Sequence, residues 1–204
     1  ALADKEPEAV CVAIESHYLP RHASDTLPED AAGQALAVAD RLDTLLGVFA
    51  AGKKPKGGKD PFALRRSALA VARVLEHSGC RATVRDLLQP TREILAAQIP
   101  VSDEVVEEVE AFIGERLRAH LAERGIGANT LHAVEAGAAG AVVNFVARAQ
   151  AVQAFADNPE MASLIAANKR AANLLEQAGQ TDFGEVQRNL MQIDAESLLF
   201  DEVQ

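Results

Sequence analysis

Apolar residues in this chain return at spacings of three and four in one segment after another. That is the period of a helix face, not the alternation of a strand. The clearest case is 31–50, where Ala35, Val38, Ala39, Leu42, Leu45, Leu46 and Phe49 form one continuous stripe. Val105, Val106, Val109, Phe112, Ile113, Leu117 and Leu121 form a second, announced by Pro100 and Ser102 and stopped at Gly125. The side-chain supply agrees. Ala, the strongest helix former, occurs 40 times, whereas Trp is absent and Phe occurs seven times. An aliphatic, alanine-rich core predicts helices that approach closely, so the fold class is all-α: a multi-helix bundle of about eight helices, compact or elongated. A β-sandwich is excluded. No run approaches the ~18 apolar residues a membrane-spanning helix needs, so no membrane partner is expected.

Punctuation places the other elements. Val10, Cys11, Ile14, His17 and Tyr18 share a stripe between Pro7 and Pro20. Residues 52–59, with four Lys, three Gly and a Pro, read as an exposed, flexible loop. Asp60-Pro61 restarts a helix, Asp60 as N-cap and Pro61 in its first position, and Gly79 closes it. Thr83 opens the next, which Pro90 interrupts or kinks. Thr130 caps a short helix ending near Gly137. Residues 141–156 follow with Val142, Val143, Phe145, Val146, Ala149, Val152 and Phe155. Asn158-Pro159 then starts a helix with Met161, Leu164, Ile165, Asn168, Ala172 and Leu175 along its seam. The end, 180–204, is acidic and weakly patterned, predicting one short helix or a frayed terminus. Cys11 and Cys80 lie in helix-like contexts, which with no visible signal peptide predicts a reduced, cytoplasmic protein.

The chain carries 20 Lys and Arg against 30 Asp and Glu, but the charges are segregated. From 53 to 73, Lys53, Lys54, Lys56, Lys59, Arg65, Arg66 and Arg73 face one acid, Asp60. From 101 to 115 there are six acids and no base, and from 182 to 204 six acids against Arg188. The basic stretch runs into a helix start, where free N–H groups and the dipole favour an anion. One reading is a phosphate-backbone partner; the other is a solvated loop. It is not a P-loop, because Lys59 is followed by Asp60. Asn168-Lys169-Arg170 has two readings as well, a polar contact that positions the helix or a nucleic-acid contact. His17 on an apolar stripe reads as a satisfied histidine before a ligand. Neither cysteine, and no His or carboxylate spacing, singles itself out as catalytic.

Several peptides resemble the β subunit family of bacterial glycyl-tRNA synthetases. They are His17-Tyr18-Leu19-Pro20-Arg21, Asp25-x-Leu27-Pro28, residues 37–45, Lys59-Asp60-Pro61-Phe62-Ala63-Leu64-Arg65-Arg66, and Ala167-Asn168-Lys169-Arg170 with the five residues after it. The resemblance implies an interior stretch of a longer β chain. Residues 1–50 would be the second half of an HD-like helical region, 51–60 a basic Gly/Lys loop, 61–180 a helical body, and 181–204 the acidic start of a C-terminal region preceding an anticodon-binding domain. It further implies an α subunit partner in an α2β2 heterotetramer, tRNA(Gly) as substrate, and ATP and Mg used in the α subunit, with no cofactor here. The RNA-binding residues implied by charge and resemblance together are Lys53, Lys54, Lys56, Lys59, Arg65, Arg66, Lys169 and Arg170. His17 and Asp40 fall at degenerate HD positions, because the His-Asp pair of HD phosphohydrolases is absent. No metal or catalytic residue is therefore expected. An HD-type phosphohydrolase fragment and a non-catalytic interaction scaffold are the alternative readings. Family members are expected to carry Gln and Thr where this chain has Lys53 and Lys56.

Overall fold

The computed structural model describes residues 5–137, 140–179, 191 and 193–203. Among these are nine helices and no strand: α1 (Glu8–Ser16), α2 (Ala31–Ala50), α3 (Leu64–Ser78), α4 (Val84–Leu95), α5 (Asp103–Glu123), α6 (Ala128–Glu135), α7 (Val142–Ala156), α8 (Pro159–Ala178) and α9 (Asp194–Val203). The all-α class read from the sequence is the one observed. The chain divides into two units, 1–156 and 157–204.

The first unit is built around α2 and α3, which pack on each other and on α5, with α1 and α4 against α2, and α7 against α3 and α6. Most of the α2 stripe is buried, Val38, Leu42, Leu45, Leu46 and Phe49 among it, whereas Ala35 and Ala39, also placed on it, are exposed. The buried members meet Leu64, Val71, Val74 and Leu75 of α3, and Val106, Val109, Ile113, Leu117 and Leu121 of α5. Gly33 lets α1 and α2 close on one another, since a Cβ there would lie 2.2 Å from Ser16 Oγ. Asp30 caps α2, its carboxylate accepting from the Gly33 N–H at 2.6 Å and from the Ser16 hydroxyl at 3.2 Å.

Several local expectations change with three-dimensional context. Pro90 does not break α4, which runs through it with an intact Thr83/Asp86 capping box. Asp60 caps from a distance: α3 begins at Leu64, behind a turn in which Ala63 takes φ 54°. The Asp60 carboxylate still collects the Leu64 and Arg65 N–H groups at 2.8 and 2.9 Å. Thr130 is not an N-cap. It is buried inside α6, and its hydroxyl and the Gly127 N–H both donate to Gln153 Oε1 of α7 at 2.8 Å. The stripe of α1 is largely exposed, with Val10, Ile14 and Tyr18 open and Ala13 buried.

The acidic row of α5 is not simply solvated. Arg85 of α4 pairs with Glu110 at 2.8 Å and Glu107 at 3.8 Å, and Arg92 pairs with Asp103. In the second unit, Leu164, Ile165, Asn168, Ala172 and Leu175 of the α8 seam are exposed among the described residues, and Met161 is half-buried. The acidic segment up to 190 lies outside the described residues, whereas α9 occupies its far end.

Carboxylates that hold turns and helix starts give the fold an acid limit. Asp25, Asp30 and Asp86 ionise below the ordinary carboxylate value of 3.8, chiefly because each accepts backbone N–H bonds. A carboxyl whose folded value is depressed stabilises the fold fully above its unfolded value. That stability goes as pH falls through the folded value. Thermal melts by circular dichroism should therefore show a plateau above about pH 5 and a fall below about pH 4. Asp30→Asn, which keeps the cap but removes the ionisation, should flatten part of that fall. An identical acid profile in the variant would remove Asp30 from the account.

Candidate nucleic-acid interface

The basic segment is ordered by its own backbone. α2 ends in a Schellman turn: Gly52 takes φ 70°, its N–H bonds to the Phe49 carbonyl at 2.9 Å, and the Lys53 N–H bonds to Val48 at 3.1 Å. The chain then doubles back. Lys56 and Lys59 exchange backbone hydrogen bonds of 3.2 and 3.0 Å. Gly57, between them, has φ 54°, the positive value a two-residue hairpin turn needs and a side chain would strain. Arg65, on the first turn of α3, donates to the Gly57 carbonyl at 2.6 Å. The loop read from the sequence as flexible is thus a pinned hairpin.

The pinning sorts the predicted residues. Lys53, Lys56, Lys59 and Arg66 are exposed, and none pairs with a carboxylate among the described residues. Lys53 Nζ lies 5.9 Å from the Phe62 ring centroid. Lys54 is different: it pairs with Glu108 of α5, 6.0 Å over the Phe49 ring. Arg73, counted with the basic run, is committed to structure, donating to the carbonyls of His22 at 3.3 Å and Asp25 at 2.9 Å. Lys169 and Arg170 are exposed on α8 and belong to the second unit. The hairpin lysines and Arg65 and Arg66 belong to the first unit.

His17 caps the end of α1, with Nδ1 2.6 Å from the Ile14 carbonyl and its ring centroid 3.9 Å from that of Tyr18. Among the described residues, no three His, Cys, Asp or Glu side chains group into a metal seat.

Sequence reasoning missed Arg41. It lies buried in the α2 stripe, and its guanidinium donates to the carbonyls of Ala37, His17, Tyr18, Leu19 and Pro20 at 2.8–3.3 Å. The available signal was a charged residue next to Leu42 within an apolar face. Burial disfavours its charge, Asp40 offsets part of that cost, and the nearby Arg66 adds repulsion.

These features define the class: an all-helical module with a cationic edge formed by a hairpin and the first turn of α3. The family model described as glycyl-tRNA synthetase beta subunit matches residues 1–136. The glycine–tRNA ligase beta subunit of Chromohalobacter salexigens is 41% identical over 202 residues, covering 98% of this chain and 29% of that protein. That of Coxiella burnetii is 40% identical over 204 residues (100% and 30%), and that of Methylobacillus flagellatus 39% over 190 (93% and 27%). The chain belongs to the glycyl-tRNA synthetase beta subunit family. It spans about three-tenths of the length of these relatives.

Proposed function

We propose that this chain is a tRNA-binding and architectural part of a cytoplasmic glycine–tRNA ligase, supporting ATP-dependent attachment of glycine to tRNA(Gly). The centre that uses ATP, Mg and glycine belongs in this reading to an α subunit, within an α2β2 assembly. In this reading no catalytic step is assigned to this chain.

The observation that carries the RNA role is the pinned hairpin, with Lys53, Lys56 and Lys59 exposed and unmatched by carboxylates among the described residues. Lysines presented this way meet phosphates as point charges. They set the register of an RNA without reading its bases. Arg65 and Arg66 extend the edge along α3, and Lys169 and Arg170 offer a further contact from α8.

Titration of tRNA at several salt concentrations tests this. Each neutralised phosphate of a duplex contributes about −0.9 to the slope of log K against log salt. Replacing Lys53, Lys56 and Lys59 with Ala should make the slope shallower by about 2–3, whereas Lys54→Ala should change it less, because Glu108 already holds that charge. All four side chains lie at the surface, so helicity should be unchanged. A slope unaltered in the triple variant, or no binding at low salt, would overturn the proposal.

A further inference from the structure

In the first unit lies an open cleft of about 500 Å³ between the α1–α2 connection, the middle of α2 and the first turn of α3. Tyr18, Arg21, Asp40, Arg41 and Arg66 contribute to its lining. The volume is within the range of about 300–1,000 Å³ typical of small-ligand sites.

Its walls are held in place. The Arg21 N–H donates to the Asp25 carboxylate at 2.7 Å, and the Thr26 N–H donates to the same group at 3.0 Å. Arg73 holds the carbonyls on either side of that turn. The Tyr18 carbonyl is taken by Arg41 at 3.0 Å, and its ring rests against His17. Tyr18 is the only Tyr of the chain and remains 60% exposed, so an aromatic surface stands open at the rim of a fixed turn.

The charges are unbalanced. Three arginines share the cleft with one carboxylate, Asp40. Arg41 forms no ion pair among the described residues; its donors go to neutral carbonyls. Its charge is offset in part by the neighbouring Asp40 and is repelled by Arg66. An anion in the cleft would meet Arg21 and Arg66 at the surface, and the field of Arg41 from behind.

We infer that this cleft is a seat for one unpaired nucleotide of a bound RNA, with its base stacked on Tyr18 and its phosphate between Arg21 and Arg66. The inference rests on the RNA-binding reading above and adds to it. The hairpin attracts any phosphate backbone, whereas a stacking seat accepts only a base that is not already paired. Arg41 is a positioning residue here: it fixes the turn and contributes charge, and its guanidinium is already occupied. Asp40 opposes the phosphate and sets a limit on affinity.

The test compares two RNA probes of equal phosphate number, each with one 2-aminopurine: a single strand and a blunt hairpin duplex. With the 204-residue chain, the single strand should bind more tightly, and its fluorescence should be quenched by stacking. Tyr18→Leu should abolish the quench and cost the single strand about tenfold, leaving the duplex unchanged. Arg21→Gln should weaken the single strand several-fold, and Asp40→Asn should tighten it. These side chains are exposed, and circular dichroism checks that each variant remains helical. Equal binding of both probes, insensitive to Tyr18→Leu, would overturn the nucleotide seat while leaving the hairpin reading intact. Weaker single-strand binding by Asp40→Asn would also overturn it. Binding of both probes that ignores the three-lysine variant would instead overturn the RNA reading.

Discussion

Arg41→Met should lower the unfolding free energy by about 2–3 kcal/mol, read as a reduced urea midpoint at unchanged slope. Two effects oppose one another. Methionine keeps an apolar stem in place of the arginine's and removes a charge from a buried position, which is favourable. It also strips the carbonyls of residues 17–20 of a common donor. Hydrogen bonds to a charged donor contribute about 1.5–3 kcal/mol each. Several of the carbonyls lie near the surface and can turn to water, so the loss is a fraction of their sum. Arg41→Lys should recover only part of it, because one ammonium cannot bridge the separate carbonyls that a planar fork reaches. A change below about 0.5 kcal/mol in Arg41→Met would show that the connection holds without its arginine.

Leu45→Ala should cost more, about 3–4 kcal/mol, in the same measurement. Leu45 is fully buried in α2, the helix that packs against α1, α3, α4 and α5. Removing three carbons forfeits their transfer from water and leaves a hole that neighbouring helices cannot all collapse into. Leu45→Met, close in volume, should cost less than about 1.5 kcal/mol. If both variants lost the same amount, shape rather than volume would be the governing quantity at this position. Leu36, on the exposed side of α2, is the internal control: Leu36→Ala should change stability little.

Helix existence was legible because each signal was local. Residues 31–50 lie between Asp30 and a terminal Schellman turn, and α5 starts after Ser102, where the sequence placed it. What periodicity could not supply was the identity of the covering surface. The stripes of α1 and α8 have the same spacing as that of α2, but they stand open. Spacing says which residues share a face, whereas burial depends on what lies opposite. The cap of α6 was illegible for the same reason: its acceptor, Gln153, comes from α7, more than twenty residues later. Charge misled in one respect and informed in another. The acids of α5 looked unmatched along the sequence, but Arg85 and Arg92 reach them across the α4–α5 contact. The basic run was visible, and so was Asp60 as an acceptor for the start of α3, but the N-cap is Ala63 and Pro61 precedes the helix instead of opening it. Which lysine would be spent on Glu108 depended on a helix fifty residues away.

The exchange of hydrogen bonds between Lys56 and Lys59 also bears on how tightly that segment can grip. A free oligolysine must surrender most of its backbone freedom when it lies along a polyanion, about 1–2 kcal/mol for each residue fixed. Here folding has already met that cost, so less of the attraction is consumed on docking. Charge for charge, this turn should outcompete a linear peptide of residues 52–60 for the same RNA.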